Sequence, residues 1–245
     1  MVSESAAMQE VYATLNDWVP HGFPVLVAGE AGTGKSLLAR ALHHLGPRSE
    51  EAYLTVNCRE LSDEALDLEL FGCTESELVD AVAPRKGVFE LAEGGTVFLE
   101  EVEQLPRSTQ EGLLRLLRED EVRRIGGAVG RPVDARLVAS TRRDLEALVD
   151  RGGFRRDLFV LLREHMLEVP PLRRRQPDIL PLARVYLSTF AQRYGRRCRD
   201  VSDAVAERFR EHRWPGNARE LKTAIETAVL NAQDDEVLRE EHFGW

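Results

Sequence analysis

The sequence predicts an α/β fold: a mostly parallel sheet flanked by helices, with a small C-terminal helical unit. Strand-like apolar runs alternate with helical patterns through the first two thirds of the chain. A glycine-rich loop joins the first of those runs to a helix, and beyond Pro170-Pro171 only helical periodicity is visible.

The elements follow in order. Met8, Val11, Tyr12, Leu15, Trp18 and Val19 recur at three- and four-residue steps, the spacing of one helix face. "FPVLVAG" reads as a buried strand, "KSLLARALHHLG" as a helix closed by Gly46, and "AYLTVNC" as a second strand. "TVFLEEV", "ARLVAST" and "MLEVPPL" continue the strands, with "STQEGLLRLLRED" as a helix among them. "DILPLARVYLSTFAQRYG", "DAVAERFREH" and "ARELKTAIETAVLNAQ" then read as three helices, which places a boundary between residues 1–171 and 172–245. "GCTESELVDAVAPRK" and "DEVRRIGGAVGRPVD" break the rhythm and read as projecting loops. Arg173-Arg174-Arg175 reads as a short solvated basic face.

Composition narrows the function. A hydrophobic fraction of 43% supports a folded core. The 33 Lys and Arg against 42 Asp and Glu leave a net charge of −9, which opposes direct binding to DNA or an acidic membrane. Cys58, Cys73 and Cys198 are too scattered for a disulfide framework or a metal knuckle and read as small buried residues. The N-terminus has neither a basic start nor a long apolar stretch, and a reducing, cytoplasmic location without membrane contact is the expectation.

Gly29, Gly34, Lys35 and Ser36 fit the spacing G-x-x-x-x-G-K-[ST] in a strand, loop, helix setting. Glycines there let backbone N–H groups converge on phosphate oxygens, and the helix start adds its positive dipole end. Lys35 neutralises charge, and Ser36 offers an oxygen to Mg²⁺. A phosphate-cleaving site of this type also needs a carboxylate for the metal and a group to orient water. Glu100 and Glu101, directly after Thr96–Leu99, supply both.

With "GEAGTGKSLLARALH", "LELFG", "GVFELAEGGTVFLEEVEQLP", "LLRLLREDEVRRIGG", "GGFRRDLF", "PPLRRRQPDILPLA" and "WPGNARELK" in view, the chain resembles, nearly end to end, the AAA+ domain of bacterial enhancer-binding proteins, the sigma-54-dependent activators. The resemblance implies a P-loop AAA+ fold with a helical lid, ATP and ADP as ligands with Mg²⁺, and rings of six or seven copies. It also implies ATP turnover coupled to remodelling of sigma-54 RNA polymerase, with DNA reached only through a domain outside this chain. By that resemblance the nucleotide-binding set is Gly29, Glu30, Ala31, Gly32, Thr33, Gly34, Lys35, Ser36, Leu37 and the γ-phosphate-sensing Arg219. Ser36 and Glu100 form the metal set. Glu101 is the water-polarising base, Asn57 the switch that restrains it, and Arg155 the arginine offered to the neighbouring subunit.

The chain also departs from the family pattern. The metal-binding aspartate is Glu100 here, and a displacement of about 1 Å can cost on the order of a hundredfold in rate. The sensor asparagine is Arg142, a cation in place of a neutral amide. The second intersubunit arginine falls on Leu161, and such a residue is worth about 10³ to 10⁵ in rate. The family's G-A-F-T-G-A loop is Ser76-Glu77-Leu78-Val79-Asp80-Ala81, without its aromatic or threonine. The expectation is an ATP-binding regulatory module that assembles with nucleotide, hydrolyses it slowly, and does not remodel sigma-54. A working ring ATPase acting on sigma-54 RNA polymerase or another client, and a nucleotide-stabilised scaffold, are the alternatives.

Overall fold

The computed structural model describes residues 3–74, 84–233 and 235–244. The chain opens with α1 (Ala6–Trp18) and β1 (Val25–Ala28), followed by α2 (Lys35–His44), β2 (Tyr53–Asn57) and α3 (Asp63–Phe71). A short antiparallel ladder, β3 (Gly72–Cys73) with β4 (Arg85–Lys86), precedes α4 (Val88–Leu91), β5 (Thr96–Glu100) and α5 (Arg107–Glu119). The pair β6 (Glu121–Arg123) and β7 (Gly130–Pro132) leads to β8 (Arg136–Thr141), α6 (Leu145–Asp150), α7 (Arg156–Arg163) and β9 (Met166–Glu168). The remainder holds α8 (Ile179–Tyr194), β10 (Asp200–Val201), α9 (Asp203–Glu211), α10 (Asn217–Asn231) and β11 (Val237–Leu238). No helix among the described residues is long and apolar enough to cross a membrane.

Two compact units emerge. One comprises Thr14–Ala28 and Lys35–Glu168, the other Met1–Ala13, Gly29–Gly34 and Val169–Trp245. The first is built on a five-stranded sheet of order β2-β5-β8-β1-β9, parallel throughout. Strands buried on both faces must be apolar along their length. Accordingly Val97, Phe98 and Leu99 of β5 and Leu137, Val138 and Ala139 of β8 are all buried. Leu113 of α5, Leu158 of α7 and Phe89 of α4 pack into the same core. Parallel pairing brings the carboxyl ends of neighbouring strands to one edge: Asn57 lies beside Glu100, Leu99 beside Ala139, and Ala28 beside Thr141.

The second unit has its own core, in which Ile179 and Leu187 of α8, Phe209 of α9 and Leu221 and Ile225 of α10 surround Trp214. Trp214 is buried because its indole N–H is satisfied, donating to the Phe209 carbonyl at 2.9 Å. Helical periodicity in the sequence marks α8, α9 and α10, and all three form. Strands do not stop at Pro171, however: β10 and β11 pair in parallel through Asp200 with Val237 and Val201 with Leu238. Two-residue strands carry too little alternation to be read from the sequence.

The stretch "DEVRRIGGAVGRPVD" is a second correction, because it is a hairpin whose β6 and β7 pair from Glu121–Pro132 to Arg123–Gly130. Helices α3, α6 and α7 are further elements the periodicity did not mark. Two of them have side-chain caps: Ser62 accepts from the Ala65 N–H before α3, and Asp144 accepts from the Glu146 and Ala147 N–H groups before α6, whereas Arg155 before α7 caps no N–H. All three cysteines are buried, and burial pushes the Cys58 thiol up to about 12.

Arg136, at the start of β8, is a cation buried in the sheet unit. Its guanidinium donates to the Trp18 carbonyl at 3.0 Å, the Leu42 carbonyl at 3.3 Å and the Val19 carbonyl at 3.4 Å. Those oxygens lie at the carboxyl ends of α1 and α2, where a cation also meets the negative end of the helix dipole. Burial pulls its guanidinium down to about 10. Replacement by Met would strand these carbonyls, and Arg136→Met is expected to cost about 2–4 kcal/mol, measured as the shift in urea unfolding.

Candidate nucleotide-binding site

The glycine-rich loop leaves β1 and turns through Gly32 at φ 76° and Gly34 at φ 103°, left-handed values that disfavour any side chain. At Gly32 a Cβ would also collide with the Gly216 carbonyl oxygen. At Gly34 no atom of the described residues beyond its chain neighbours lies within 4 Å of where a Cβ would stand, so the backbone angle is what disfavours one. The loop then runs directly into α2, whose first residues are Lys35 and Ser36.

The loop's oxygens are held by named donors. Thr33 Oγ1 donates to the Glu30 carbonyl at 2.9 Å. Asn217 Nδ2 donates to the Ala31 carbonyl at 2.9 Å and to Glu30 Oε2 at 3.2 Å, while Asn217 Oδ1 accepts from the Leu172 N–H at 2.7 Å. Arg175 donates to the Thr33 carbonyl at 2.9 Å. Arg173 grips the Glu30 carboxylate with two nitrogens, at 2.8 and 2.6 Å. That hydrogen bonding, helped by Asn217, holds the Glu30 carboxyl down to about 2. The basic triplet is therefore not simply a solvated face: Arg173 and Arg175 bind the loop, and Arg175 is buried. Arg219 stands on α10 with its Cβ 3.0 Å from where a Gly32 Cβ would be.

In the sheet unit, the Ser36 hydroxyl donates to Glu100 Oε1 at 2.5 Å. Glu101 follows β5 in a left-handed conformation, φ 58°, uncommon for a residue with a side chain. Its carboxylate meets Arg142, from the end of the adjacent β8, at 2.6 Å. Arg142 also approaches Glu103, with Nε at 3.6 Å and its backbone N–H donating at 3.3 Å. Glu103 is buried, and its Oε2 has no hydrogen-bond partner among the described residues. Asn57 is occupied elsewhere, donating to Glu60 at 2.7 Å and accepting from the Arg59 N–H at 3.1 Å. Leu37 is exposed on α2.

Arg155 precedes α7 and pairs in two-pronged fashion with Asp157 at 3.0 and 2.9 Å, which holds the Asp157 carboxyl down to about 2. It borders an open hollow of about 560 Å³ also lined by Arg107 and Arg156. Leu161 is half-buried against the sheet-unit core.

Residues 1–168 match the family model described as the sigma-54 interaction domain, and residues 173–244 match the AAA+ ATPase lid domain. The chain belongs to the sigma-54 interaction domain family. This domain is 43% identical over 232 residues to the Nif-specific regulatory protein of Klebsiella pneumoniae, covering 94% of the chain and 44% of that protein. It is 39% identical over 243 residues to the alginate biosynthesis transcriptional regulatory protein AlgB of Pseudomonas aeruginosa, covering 99% and 54%. The crystal structure of NtrX from Brucella abortus in complex with ATP superposes with a TM-score of 0.91 at 31% identity, covering 99% of this chain and 54% of that one. A complex of the same protein with ADP matches equally well. The domain thus spans about half the length of the relatives it matches.

Within this sigma-54 interaction domain each unit offers donors of a kind that a nucleotide with Mg²⁺ uses. A hydroxyl and a carboxylate oxygen 2.5 Å apart are the hard oxygen ligands that Mg²⁺ prefers. The loop combines left-handed glycines with carbonyls tied to the protein, the arrangement that leaves amides to an anion. Ser76–Ala81, expected to differ from the family's client-gripping loop, lies outside the described residues.

Sequence reading missed Arg173, Arg175, Asn217 and Glu103. Only Asn217 carries a local sign, an asparagine after Pro215-Gly216 at φ 55°. The Glu30 carboxyl sits below its ordinary 4.5, so its pairing with Arg173 stabilises the fold above that pH and is lost as pH falls from about 4.5 towards 2. Urea unfolding across that range is expected to show a steeper acid decline for the parent protein than for Arg173→Ala.

Proposed function

We propose that this chain is the ATP-binding AAA+ module of a bacterial transcriptional regulator, self-associating with nucleotide and hydrolysing it slowly. In this reading residues 1–171 form the nucleotide-binding subdomain and 172–245 the lid. The loop Gly29–Gly34 with Lys35 binds the phosphates, and Ser36 and Glu100 hold Mg²⁺, which supplies charge neutralisation when bound. Arg219 reads the γ-phosphate, and Arg155 is offered to the nucleotide of a neighbouring copy. Its partners are further copies in a ring and RNA polymerase or another transcription protein, in the cytoplasm. The net charge of −9 leaves DNA contact to a segment outside these residues.

The observation that carries slow hydrolysis is the 2.6 Å pair between Glu101 and Arg142. A carboxylate that activates water must have an oxygen free to face it, and here Glu101 Oε2 is held on the Arg142 guanidinium instead. Asn57, the expected restraint on Glu101, is engaged with Glu60, so Arg142 is the group that restrains it here. Leu161, seated against the core, offers no second cation to a neighbouring copy. The second reading, a working motor, draws support from the close Ser36–Glu100 pair, which keeps a metal-binding end despite the longer glutamate.

ATP affinity and phosphate release, measured on one sample from submicromolar to tens of micromolar protein, separate the two. Tight binding with little release at every concentration supports the regulator, whereas release climbing steeply with concentration supports the motor. Lys35→Ala is expected to abolish binding. Arg142→Asn is expected to raise turnover on the order of 100-fold, the lower end of what a positioned base contributes. Adding Glu101→Gln should remove that gain. No gain from Arg142→Asn in a protein that binds ATP would overturn the assignment of Arg142 as the restraint.

A further inference from the structure

Asp178, immediately before α8, is completely buried and is surrounded by the segment that precedes α1. Ser3 Oγ donates to both carboxylate oxygens at 3.0 Å, the Glu4 N–H donates at 2.6 Å, and the Ser5 N–H at 2.8 Å. Ser5 Oγ, itself buried, donates at 2.7 Å. Hydrogen bonds from the backbone and two hydroxyls are what allow a carboxylate to be buried there at all.

Asp178 in turn is joined to Arg175: its backbone N–H donates to the Arg175 carbonyl at 2.9 Å, and its charge favours the buried guanidinium that burial disfavours. Tyr12 and Tyr186 are the other groups whose charge bears on that guanidinium. Arg175 Nε has no hydrogen-bond partner among the described residues, so the cation depends on the Thr33 carbonyl and on nearby negative charge.

The Thr33 carbonyl has a consequence beyond its own hydrogen bond. The peptide linking Thr33 to Gly34 is planar and trans, so its C=O and its N–H point in opposite directions. Fixing the oxygen on Arg175 therefore fixes the Gly34 N–H on the other side of the loop. Gly34 tolerates either face of a peptide flip, having no Cβ to forbid one. Without Arg175 the oxygen could turn toward an incoming phosphate, replacing a donor with a repelling acceptor.

We propose that Ser3 and Ser5 are positioning residues for nucleotide binding, holding Asp178 so that Arg175 stays on the Thr33 carbonyl and the Gly34 N–H stays turned toward phosphate. Displacing residues 3–5 from Asp178 lowers affinity for nucleotide phosphates. This rests on the ATP-binding reading above.

The test is titration of the full chain with fluorescently labelled ATP and ADP, paired with urea unfolding in the absence of nucleotide. The double substitution Ser3→Ala with Ser5→Ala is expected to weaken both nucleotides about tenfold, with phosphate release at saturating ATP unchanged. Arg175→Met is expected to weaken them at least as much, and Arg175→Lys to recover part of the loss. Affinities of the serine variant within twofold of the parent, or a loss accounted for entirely by its unfolded fraction, would overturn the inference while leaving the ATP-binding reading standing. A parent protein that binds neither nucleotide would overturn that reading and this inference together.

Discussion

Parallel pairing is the constraint from which the chemistry of the sheet unit follows. Strands that run the same way deliver their carboxyl ends to one edge, whatever the helices between them do. Glu100 and Glu101 leave β5 there, Arg142 leaves β8 beside them, and Asn57 ends β2 on the other side of β5. The central strands that place Glu100 and Arg142 carry buried apolar middles, Val97–Leu99 in β5 and Leu137–Ala139 in β8. These polar groups thus sit at the last residue of a strand or the first beyond it, where the backbone leaves the sheet and Glu101 adopts a left-handed angle.

Charge at that edge is arranged by substitution rather than by fold. Three glutamates stand within four positions, 100, 101 and 103; Arg142 pairs with the last two, and Glu100 accepts from Ser36. Glu103 is buried with an oxygen unsatisfied, a costly arrangement that a nearby cation offsets. Arg142 therefore has a structural tie to Glu103 as well as a grip on Glu101. A single cation serving two carboxylates ties the buried Glu103 to the more open Glu101.

The glycine loop shows the opposite design. Its backbone has little intrinsic preference, so its conformation is set by donors from distant parts of the chain. Arg175 and Asn217 fix carbonyls, Arg173 fixes the Glu30 carboxylate, and each is separated from its partner by more than a hundred residues. Preorganisation of this kind lowers the ordering cost at the moment of binding. It also makes the loop sensitive to the packing around Asp178, a carboxylate that never touches it.

Much was legible before any coordinate was known, because it rests on short-range rules. The spacing from Gly29 to Ser36 marks a phosphate loop, the apolar run into Glu100 marks a strand end, and period-3.6 patterns mark α8 to α10. These follow from residues within a few positions of one another. Hidden from the sequence were the burial of Arg136 against two helix ends, the use of Arg173 and Arg175 on the loop, and the pairing of Arg142 with Glu101. An arginine has the same local signature whether it faces water or a buried carbonyl. Sequence by itself determined where the glycine-rich loop, the acidic strand end and the C-terminal helices lie; tertiary structure decided which cation pairs with which carboxylate, because long-range pairing depends on where folding places two distant segments, not on what either prefers alone.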